Sequence, residues 1–284
     1  MYAVTGASGQ LGRLVVEGLI TRVAPGSVVA LVRDPAKLTD LAARGVIVRA
    51  FDYNAPGTLS PALAGVGRLL LVSSNELGRR EAQHRAVINA AKTAGVGFIA
   101  YTSILHADSS PLDLATEHRA TEAAIRESGL AYALLRNGWY TENYTLSAAT
   151  EIAHGAVIGS TGDGCISSAT RADYAAGAAA VLAGKIATSA IYELAGDDAF
   201  TLADYAAALA QVSGKSVAYV DMPEQAYRDA LAEIGLPAPL ATMLANSSAN
   251  AASGALFDAG GTLGALIGRQ TTPMIETVKA VLTT

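Results

Sequence analysis

The sequence predicts an α/β protein, with a Rossmann-type doubly wound parallel sheet followed by a small C-terminal α/β lobe. Short apolar stretches alternate with helical segments through the first half of the chain, and a glycine-rich turn separates the first stretch from the first helix. Such alternation is typical of a parallel sheet with helices on both faces. The chain has 284 residues, of which 51% are hydrophobic, so it can bury a core of this kind.

Apolar runs that end at glycine or polar residues define the elements of the first half. Gly45, Gly95 and Gly129 each end a predicted helix. The predicted strands are 1–4, 27–32, 46–53, 68–74, 96–103 and 130–137, and the predicted helices are 11–20, 35–44, 57–65, 78–94 and 114–128. We therefore expect a nucleotide-binding domain over residues 1–150.

The second half is richer in glycine and alanine, and segments near 155–200 are expected to return to the first domain. Segment 236–262 is low in charge and is expected to be mobile. The other predicted elements are short strands and turns in 154–175, a helix over 170–184, a strand over 190–198, a helix that begins at Thr201 and ends at Gly214, a strand over 216–223 and a helix over 223–235. Residues 200–284 form the predicted lobe beside a substrate cleft.

The turn VTGASGQLG at residues 4–12 places three glycines three apart, directly after the first strand. A glycine-rich turn between a strand and a helix lets a pyrophosphate approach the backbone, and it aims the N–H groups of the helix N-terminus at that anion. The spacing is GxxGxxG rather than GxGxxG. The turn predicts a dinucleotide site, whose expected contacts are Gly6, Ala7, Ser8, Gly9, Gln10, Leu11 and Gly12.

Arg33 favours NADP over NAD as the dinucleotide. It ends the second predicted strand, 21 positions after Gly12, where an acidic residue would bind the ribose of NAD and an arginine would bind the 2′-phosphate of NADP. A guanidinium can hold a phosphate through two parallel hydrogen bonds. The alternative is a solvated charge. Asp34 is expected to turn inward or to cap the next helix.

Residues just past the other strands are further candidates, because ligands bind at the carboxyl ends of parallel strands. Asp52 can accept from an adenine amino group or lie in a solvated loop. The segment from Asn137 to Tyr140 holds the chain's one tryptophan, Trp139, which can stack on a flat ligand or pack in the core. The other candidates are Ser73, Ser74 and Asn75 along the cofactor, with Tyr53 and Tyr144 as weaker candidates for an aromatic wall.

Composition excludes several classes of partner. A net charge of −5 and a pI near 5.4 leave no basic surface for nucleic acid. The single cysteine, Cys165, excludes an internal disulfide and cysteine-based metal clusters, and we expect it to pack as a small apolar residue. We predict no metal, no membrane span and no signal peptide, and hence a cytoplasmic location.

The chain resembles the bacterial type 2 NAD(P)H:quinone oxidoreductases, in the NmrA-like branch of the atypical short-chain dehydrogenase/reductase superfamily. The resemblance rests on TGASGQLG, LVRDPAK, LLLVSS, FIAYTSILHADSSPL, LLRNGWYTENY, SATRADYA and YELAGDDAFTL, and it covers nearly the whole chain. It implies a two-domain protein that binds NADPH and reduces quinones without flavin. A triphenylmethane-dye reductase belongs to the same branch.

Carried onto this sequence, the family's cofactor contacts agree with the strand-end candidates and add a few. The glycine turn, Arg33 and residues 73–75 are common to both sets. The resemblance also implies a contact near Ala169 to Arg171, where Arg171 can instead be a surface ion-pair partner. The contacts implied after the sixth strand are Asn137, Gly138, Trp139, Tyr140, Thr141 and Glu142.

The sequence departs from the parent superfamily at its catalytic pair. Classical members carry Tyr-x-x-x-Lys, in which the tyrosine protonates the developing alkoxide. Aligned on Glu122, the tyrosine position holds Leu114 and the lysine position holds His118. His118 and His106 are therefore the candidate proton donors, although a quinone can take its protons from water. Each histidine can instead be structural.

Three functions remain open on the sequence. The first is NADPH-dependent quinone reduction by direct hydride transfer, for which the partner is a quinone or a similar flat aromatic substrate. The second is a non-catalytic NADP sensor, which the missing Tyr-x-x-x-Lys pair permits. The third is a reductase of other extended aromatic acceptors, such as triphenylmethane dyes. The sequence also leaves a homodimer open.

Overall fold

The computed structural model describes residues 1–184 and 189–283. Regular elements cover most of this range. In chain order they are β1 (Tyr2–Val4), α1 (Gln10–Leu19), β2 (Val28–Val32), α2 (Thr39–Ala43), β3 (Ile47–Ala50), α3 (Leu59–Ala62), β4 (Arg68–Leu71), α4 (Arg80–Thr93), β5 (Phe98–Ile104), α5 (Ala115–Ser128), β6 (Ala131–Asn137), α6 (Glu142–Thr145), α7 (Ala148–His154), β7 (Ala156–Gly159), α8 (Arg171–Ala183), β8 (Ala190–Leu194), α9 (Leu202–Ser213), β9 (Ala218–Asp221), α10 (Glu224–Glu233), α11 (Ala238–Ala251), α12 (Thr262–Ile267) and α13 (Met274–Leu282).

The chain divides into two compact units. Unit 1 comprises residues 1–107, 117–137 and 171–192, and unit 2 comprises 108–116, 138–170 and the chain from 193 onward. Residues 108–116 and 138–150, which the sequence analysis assigned to the first domain, thus lie in unit 2. The chain leaves unit 1 where β6 ends and re-enters it at the start of α8.

A seven-stranded sheet in the order β3-β2-β1-β4-β5-β6-β8 confirms the predicted Rossmann-type fold. The pairs among its first six strands are parallel. From β1, successive strands of the chain are added on one side as β2 and β3, and on the other side as β4, β5 and β6. The direction in which strands are added therefore reverses between β1 and β4. A ligand site is expected at this switch point, beyond the carboxyl ends of the strands.

The central strands are buried on both faces, as parallel strands covered by helices must be. All five residues of β2 and all seven of β5 are buried. On one side, α1 lies close to α8: a Cβ built on Gly18 would be 3.3 Å from the Cβ of Ala179. The alanine-rich composition of α8 permits this approach, because larger side chains would hold the two helices apart.

A buried carboxylate joins α5 to two strands of unit 1. Glu122 is fully buried, and its Oε1 accepts from the Ser103 hydroxyl at 2.6 Å and from Arg136 Nε at 2.9 Å. Its Oε2 accepts from Arg136 Nη2 at 2.7 Å and from Arg126 Nη2 at 3.0 Å. Both oxygens are thus saturated by donors, as a buried charge requires.

Unit 2 contains the two-stranded parallel sheet of β7 and β9, surrounded by helices. Thr201 caps α9 as predicted: its hydroxyl accepts from Asp204 N, and the Asp204 carboxylate accepts in turn from Thr201 N. The same helix ends at Gly214 in the left-handed conformation, as the sequence also predicted.

Several expectations for the second half are wrong. Segment 236–262 carries α11, in which Ala241, Ala245 and Ala251 are buried, so its low charge reflects packing of small residues. Cys165 is exposed and does not pack as a core residue. The sequence analysis also missed α6, α7, α12 and α13. No helix within the described residues is long and apolar enough to cross a membrane.

Replacing Glu122 with Ala should lower the free energy of unfolding by about 3–5 kcal/mol, because the buried Arg136 cation would lose both of its bonds to a carboxylate. Urea unfolding followed by circular dichroism measures this loss. Glu127→Ala, on the exposed side of the same helix, is the matched control and should cost less than about 1 kcal/mol. Equal losses in the two variants would contradict the structural role of Glu122.

Candidate functional site

A cavity of about 290 Å³ lies in unit 1 at the switch point of the sheet. Its walls come from the segments that follow β1, β2, β3 and β4. It brings together most of the glycine turn, Arg33, Asp52 and residues 73–75, as the strand-end analysis predicted. Its lining residues are Gly6, Ser8, Gly9, Gln10, Leu11, Gly12, Val32, Arg33, Phe51, Asp52, Tyr53, Val72, Ser73, Ser74, Asn75 and Glu76.

The glycine turn has its shape because side chains do not fit in it. Gly6 adopts φ +59°, a left-handed conformation that favours glycine. A Cβ on Gly12 would lie 2.3 Å from Gly6 O, so the first turn of α1 can approach the end of β1 only without a side chain there. The turn is closed by a hydrogen bond from Gly9 N to Gly6 O at 2.9 Å.

The N-terminus of α1 is open to an anion. Its N-cap is Gly9, which has no side chain to satisfy the first N–H groups, and no acidic residue lies in its first turn. These N–H groups carry the positive end of the helix dipole. Together with the absent Cβ atoms, they form a surface that a phosphate can approach closely.

Arg33 lines the same cavity as an exposed side chain. Its guanidinium has no hydrogen-bond or ion-pair partner among the described residues. Asp34 does not neutralise it, because the Asp34 carboxylate accepts from Ala36 N at 3.0 Å and caps the following 3-10 turn. The sequence analysis predicted this capping. Arg33 is therefore available to bind an anionic group.

The floor of the cavity beyond β3 is held by short polar contacts. The Tyr53 hydroxyl donates to Val72 O at 2.8 Å and accepts from the Thr5 hydroxyl at 2.5 Å. Burial raises the pKa of Tyr53 above its usual value, so the phenol stays protonated. Asp52 Oδ1 accepts from Asn54 N at 2.9 Å, which is the turn geometry expected of a loop aspartate.

The segment after β4 is fixed from behind by side chains that the sequence analysis missed. Ser73 N donates to Thr102 Oγ1 at 2.8 Å. Ser74 is held at both its backbone groups: its N–H donates to His84 Nε2 at 2.9 Å, and its carbonyl accepts from Arg80 Nε at 2.7 Å. Arg80 and His84 both come from α4, so this helix sets the position of the cavity wall.

Hydrogen bonding determines the tautomer of His84. The Thr121 hydroxyl donates to Glu117 O, so it accepts from His84 Nδ1–H at 2.9 Å. His84 Nε2 is therefore unprotonated and can accept from Ser74 N–H. Burial and the nearby Arg80 lower the pKa of His84 to about 3, which keeps the ring neutral near pH 7. A charged ring would break its contact with Ser74.

His118 belongs to the same buried layer and does not line the cavity. It is 4% exposed, with Nδ1 2.8 Å from the Tyr101 hydroxyl and Nε2 3.5 Å from Arg80 Nη1. The guanidinium can only donate, so Nε2 accepts and Nδ1 carries the proton. Burial and Arg80 hold the pKa of His118 well below its usual value. The side chain is a neutral member of a structural network.

The remaining predicted residues of unit 1 lie outside the cavity lining. His106 is half-buried and adopts φ +51°, an uncommon conformation for a residue with a side chain. Arg171 is the first residue of α8. Asn137, at the end of β6, is buried, and its Oδ1 has no hydrogen-bond partner among the described residues. A buried acceptor without a protein donor can accept from a ligand or from a bound water.

Residues 138–142 lie in unit 2, where a loop after β6 pairs with the chain near Ala169. Thr141 N donates to Ala169 O at 3.0 Å, and Ala169 N donates to Trp139 O at 3.2 Å. This pairing places Ala169 beside the loop that follows β6; the resemblance-based cofactor contact near Ala169 stays a prediction. The residues that the loop contributes are Gly138, Trp139, Tyr140, Thr141 and Glu142.

The comparisons with known proteins also indicate a nucleotide-binding protein. A family model described as NAD(P)H-binding matches residues 6–185. Quinone oxidoreductase 2 of Escherichia coli is 54% identical over 278 residues, which cover 98% of this chain and 97% of that protein.

Two groups of solved structures extend the comparison. The crystal structure of an NADPH-dependent quinone oxidoreductase from Escherichia coli, complexed with NADPH, has a TM-score of 0.97 at 53% identity and covers 99% of this chain and 100% of that one. A Citrobacter sp. triphenylmethane reductase complexed with NADP(H) has a TM-score of 0.94 at 36% identity, with 99% of this chain and 100% of that chain covered. The chain therefore belongs to the NAD(P)H-binding family and, within it, to the type 2 quinone oxidoreductase group that its sequence resembles.

Proposed function

We propose that this protein reduces quinones with NADPH, without a flavin or a metal. The observation that carries the proposal is the cavity of unit 1, in which an uncapped helix N-terminus and an unpaired arginine line one wall. The near-full-length similarity to a quinone oxidoreductase supports the choice of acceptor. A cytoplasmic location and a homodimer stay predictions.

The residues present fit NADPH at three independent points. The N-terminus of α1 and the glycine turn would hold the pyrophosphate, and Arg33 would bind the 2′-phosphate through a charge-assisted, bidentate contact. Asn137 Oδ1, the orphaned acceptor, would receive a hydroxyl or amide hydrogen of the nicotinamide half. Asp52 is proposed at the adenine. Arg171 is a further proposed contact, and the cofactor role that the resemblance implies for residues 138–142 stays a prediction.

The side chains near the proposed site orient the bound molecules and do not donate protons to the acceptor. When bound, the dihydronicotinamide supplies two electrons and a hydrogen as a hydride equivalent. His118 is buried and neutral, and it is hydrogen-bonded on both ring nitrogens, so it is unsuited to donate a proton to an acceptor. A quinone does not require such a donor, because formation of an aromatic hydroquinone drives the reaction and water can protonate the oxygens.

Purified protein without flavin absorbance should consume NADPH when menadione is added, and it should reduce an aliphatic ketone poorly. The ketone needs a general acid to protonate its alkoxide, and a positioned acid contributes about 10²–10⁴-fold to a rate.

His118→Ala and His106→Ala should each lower quinone reduction by less than about tenfold, a smaller loss than removal of such an acid would cause. Loss of NADPH absorbance measures all four reactions.

The outcomes of this assay separate the candidate functions. Turnover that appears only on addition of flavin would refute direct transfer. NADPH binding without turnover of any acceptor would support a sensor instead. Turnover of a cationic triphenylmethane dye far above menadione would favour the dye reductase, which the 36% identity to the Citrobacter enzyme makes the second candidate.

Arg33→Ala should weaken NADPH binding and leave NADH binding nearly unchanged. Loss of a hydrogen-bonded charge contact typically costs about 1.5–3 kcal/mol, or roughly ten- to over a hundredfold in the dissociation constant. Calorimetric titration of both nucleotides measures the difference. Lys37→Ala, which removes a neighbouring cation outside the cavity lining, is the control. Equal losses for NADPH and NADH would overturn the assignment of Arg33.

A further inference from the structure

The three residues at positions 72–74 follow β4 and line the cavity of unit 1, and their backbone is anchored from several sides. We call these residues the wall segment. Val72 N donates to Thr5 Oγ1 at 2.9 Å, and Val72 O accepts from the Tyr53 hydroxyl at 2.8 Å. Thr5 follows β1 and Tyr53 lies in the loop after β3, so the start of the wall segment is tied to both of these strand ends.

Buried side chains of β5 and α4 hold the rest of the wall segment. Ser73 N donates to Thr102 Oγ1 at 2.8 Å. Ser74 N donates to His84 Nε2 at 2.9 Å, and Ser74 O accepts from Arg80 Nε at 2.7 Å. Thr102, His84 and Arg80 are each at most 5% exposed. Because these partners are buried, water does not compete with them for the backbone groups.

The carbonyl oxygen of Ser73 is the exception in this segment. The three residues carry six backbone N–H and C=O groups, and the five named above have partners. Ser73 O has no hydrogen-bond partner among the described residues. A carbonyl group beside a cavity that lacks a protein donor is available to a donor on a ligand.

The direction of this carbonyl group is set by His84. The peptide bond between Ser73 and Ser74 is trans, so its C=O and its N–H point in opposite directions. The N–H points at His84, which is buried and does not line the cavity. The Ser73 oxygen therefore points away from the buried layer that contains His84.

The order of the strands indicates which part of the nucleotide this oxygen meets. β4 lies next to β1, and the glycine turn after β1 is the proposed pyrophosphate site. In NADPH the sugars are bonded directly to the pyrophosphate, and their hydroxyl groups are hydrogen-bond donors. A ribose hydroxyl thus has both the position and the chemistry to pair with Ser73 O.

We infer that His84 and Thr102 are positioning residues for the nucleotide, which hold Ser73 so that its carbonyl oxygen accepts from a ribose hydroxyl. Neither side chain lines the cavity, so each acts through the backbone that it anchors. An acceptor that is held in place before the ligand arrives loses little conformational freedom on binding. This inference rests on the proposed function, since it places NADPH in the cavity of unit 1.

Titration of folded variants with NADPH and with NADH tests this inference without a quinone. His84→Leu removes the acceptor of Ser74 N–H and keeps a buried apolar side chain, while Thr102→Val removes the acceptor of Ser73 N–H with little change of shape. Each should weaken the binding of both nucleotides by the same factor, about two- to tenfold, the effect of one neutral hydrogen bond. The factor is the same because the two nucleotides differ only at the 2′-phosphate. Calorimetry measures the four dissociation constants.

Three further variants separate positioning from stability. His84→Gln and Thr102→Ser keep an acceptor oxygen for the same N–H groups, and both should bind the nucleotides within about twofold of the wild type. Arg126→Ala removes a donor that lies 3.0 Å from the buried Glu122 carboxylate. It should lower the unfolding temperature and leave both affinities unchanged. Thermal unfolding shows which variants are folded during the titrations.

The outcomes distinguish the positioning role from the proposed function. Wild-type affinity in folded His84→Leu and Thr102→Val, a loss for NADPH alone, a loss shared by Arg126→Ala, or no recovery in the conservative variants would overturn the positioning role. If His84→Leu does not fold, Thr102→Val beside Thr102→Ser decides by the same criteria. The expected losses and recoveries, combined with no oxidation of NADPH by menadione in the wild type, would refute the proposed function and leave His84 and Thr102 as positioning residues of a nucleotide site.

Discussion

The close approach of Gly12 to Gly6 is the contact on which the nucleotide cavity depends. At 2.3 Å from Gly6 O, the position of a Cβ on Gly12 is closer than any real side chain allows. Because both residues lack a side chain, α1 begins directly at the end of β1, and its uncapped N–H groups face the switch point of the sheet. A side chain on Gly12 would displace the helix and move these donors, and one on Gly6 would strain its left-handed backbone.

The opposite wall of the cavity depends on a buried polar layer. Arg80 and His84 hold both backbone groups of Ser74, while Thr121 fixes the tautomer of His84. His118 completes the layer as a neutral ring. His118, which the resemblance aligned with a catalytic lysine, thus contacts Tyr101 and Arg80 in this buried layer. This substitution fits an acceptor that needs no acid from the protein.

The nucleotide site was largely predictable because its signals are local in sequence. A glycine turn between a strand and a helix, a cation at the end of the next strand and small residues after β4 can all be recognised within short segments. Arg33 lies in the lining of the predicted cavity, and Asp34 caps the following turn, one of the two positions expected for it. Residues 185–188, which lie between the predicted helix over 170–184 and the predicted strand over 190–198, are outside the described part of the chain, and so is residue 284 of the predicted lobe.

The support of the site was not predictable, because it arises from contacts between distant segments. His84 lies in a helix whose sequence shows no special pattern, and only the packing of α4 against α5 brings it to Thr121. A second cavity, in unit 2, likewise forms from helices far apart in the chain, of which α6 and α7 were missed and α11 was expected to be a mobile segment. We expected the α11 segment to be mobile because its alanines and serines do not form a strong apolar period. In the structure these small residues allow the helix to pack closely, and Ala241, Ala245 and Ala251 are buried.

The affinity of Gly12→Ala for NADPH, measured by calorimetry beside Gly57→Ala, tests the central claim most directly. Nothing lies within 4 Å of a Cβ built on Gly57, so this control should bind NADPH as the wild type does. Overpacking typically costs about 1–3 kcal/mol, so Gly12→Ala, once thermal unfolding shows it folded, should bind NADPH roughly five- to a hundredfold more weakly. A folded Gly12→Ala protein with wild-type affinity would contradict the account.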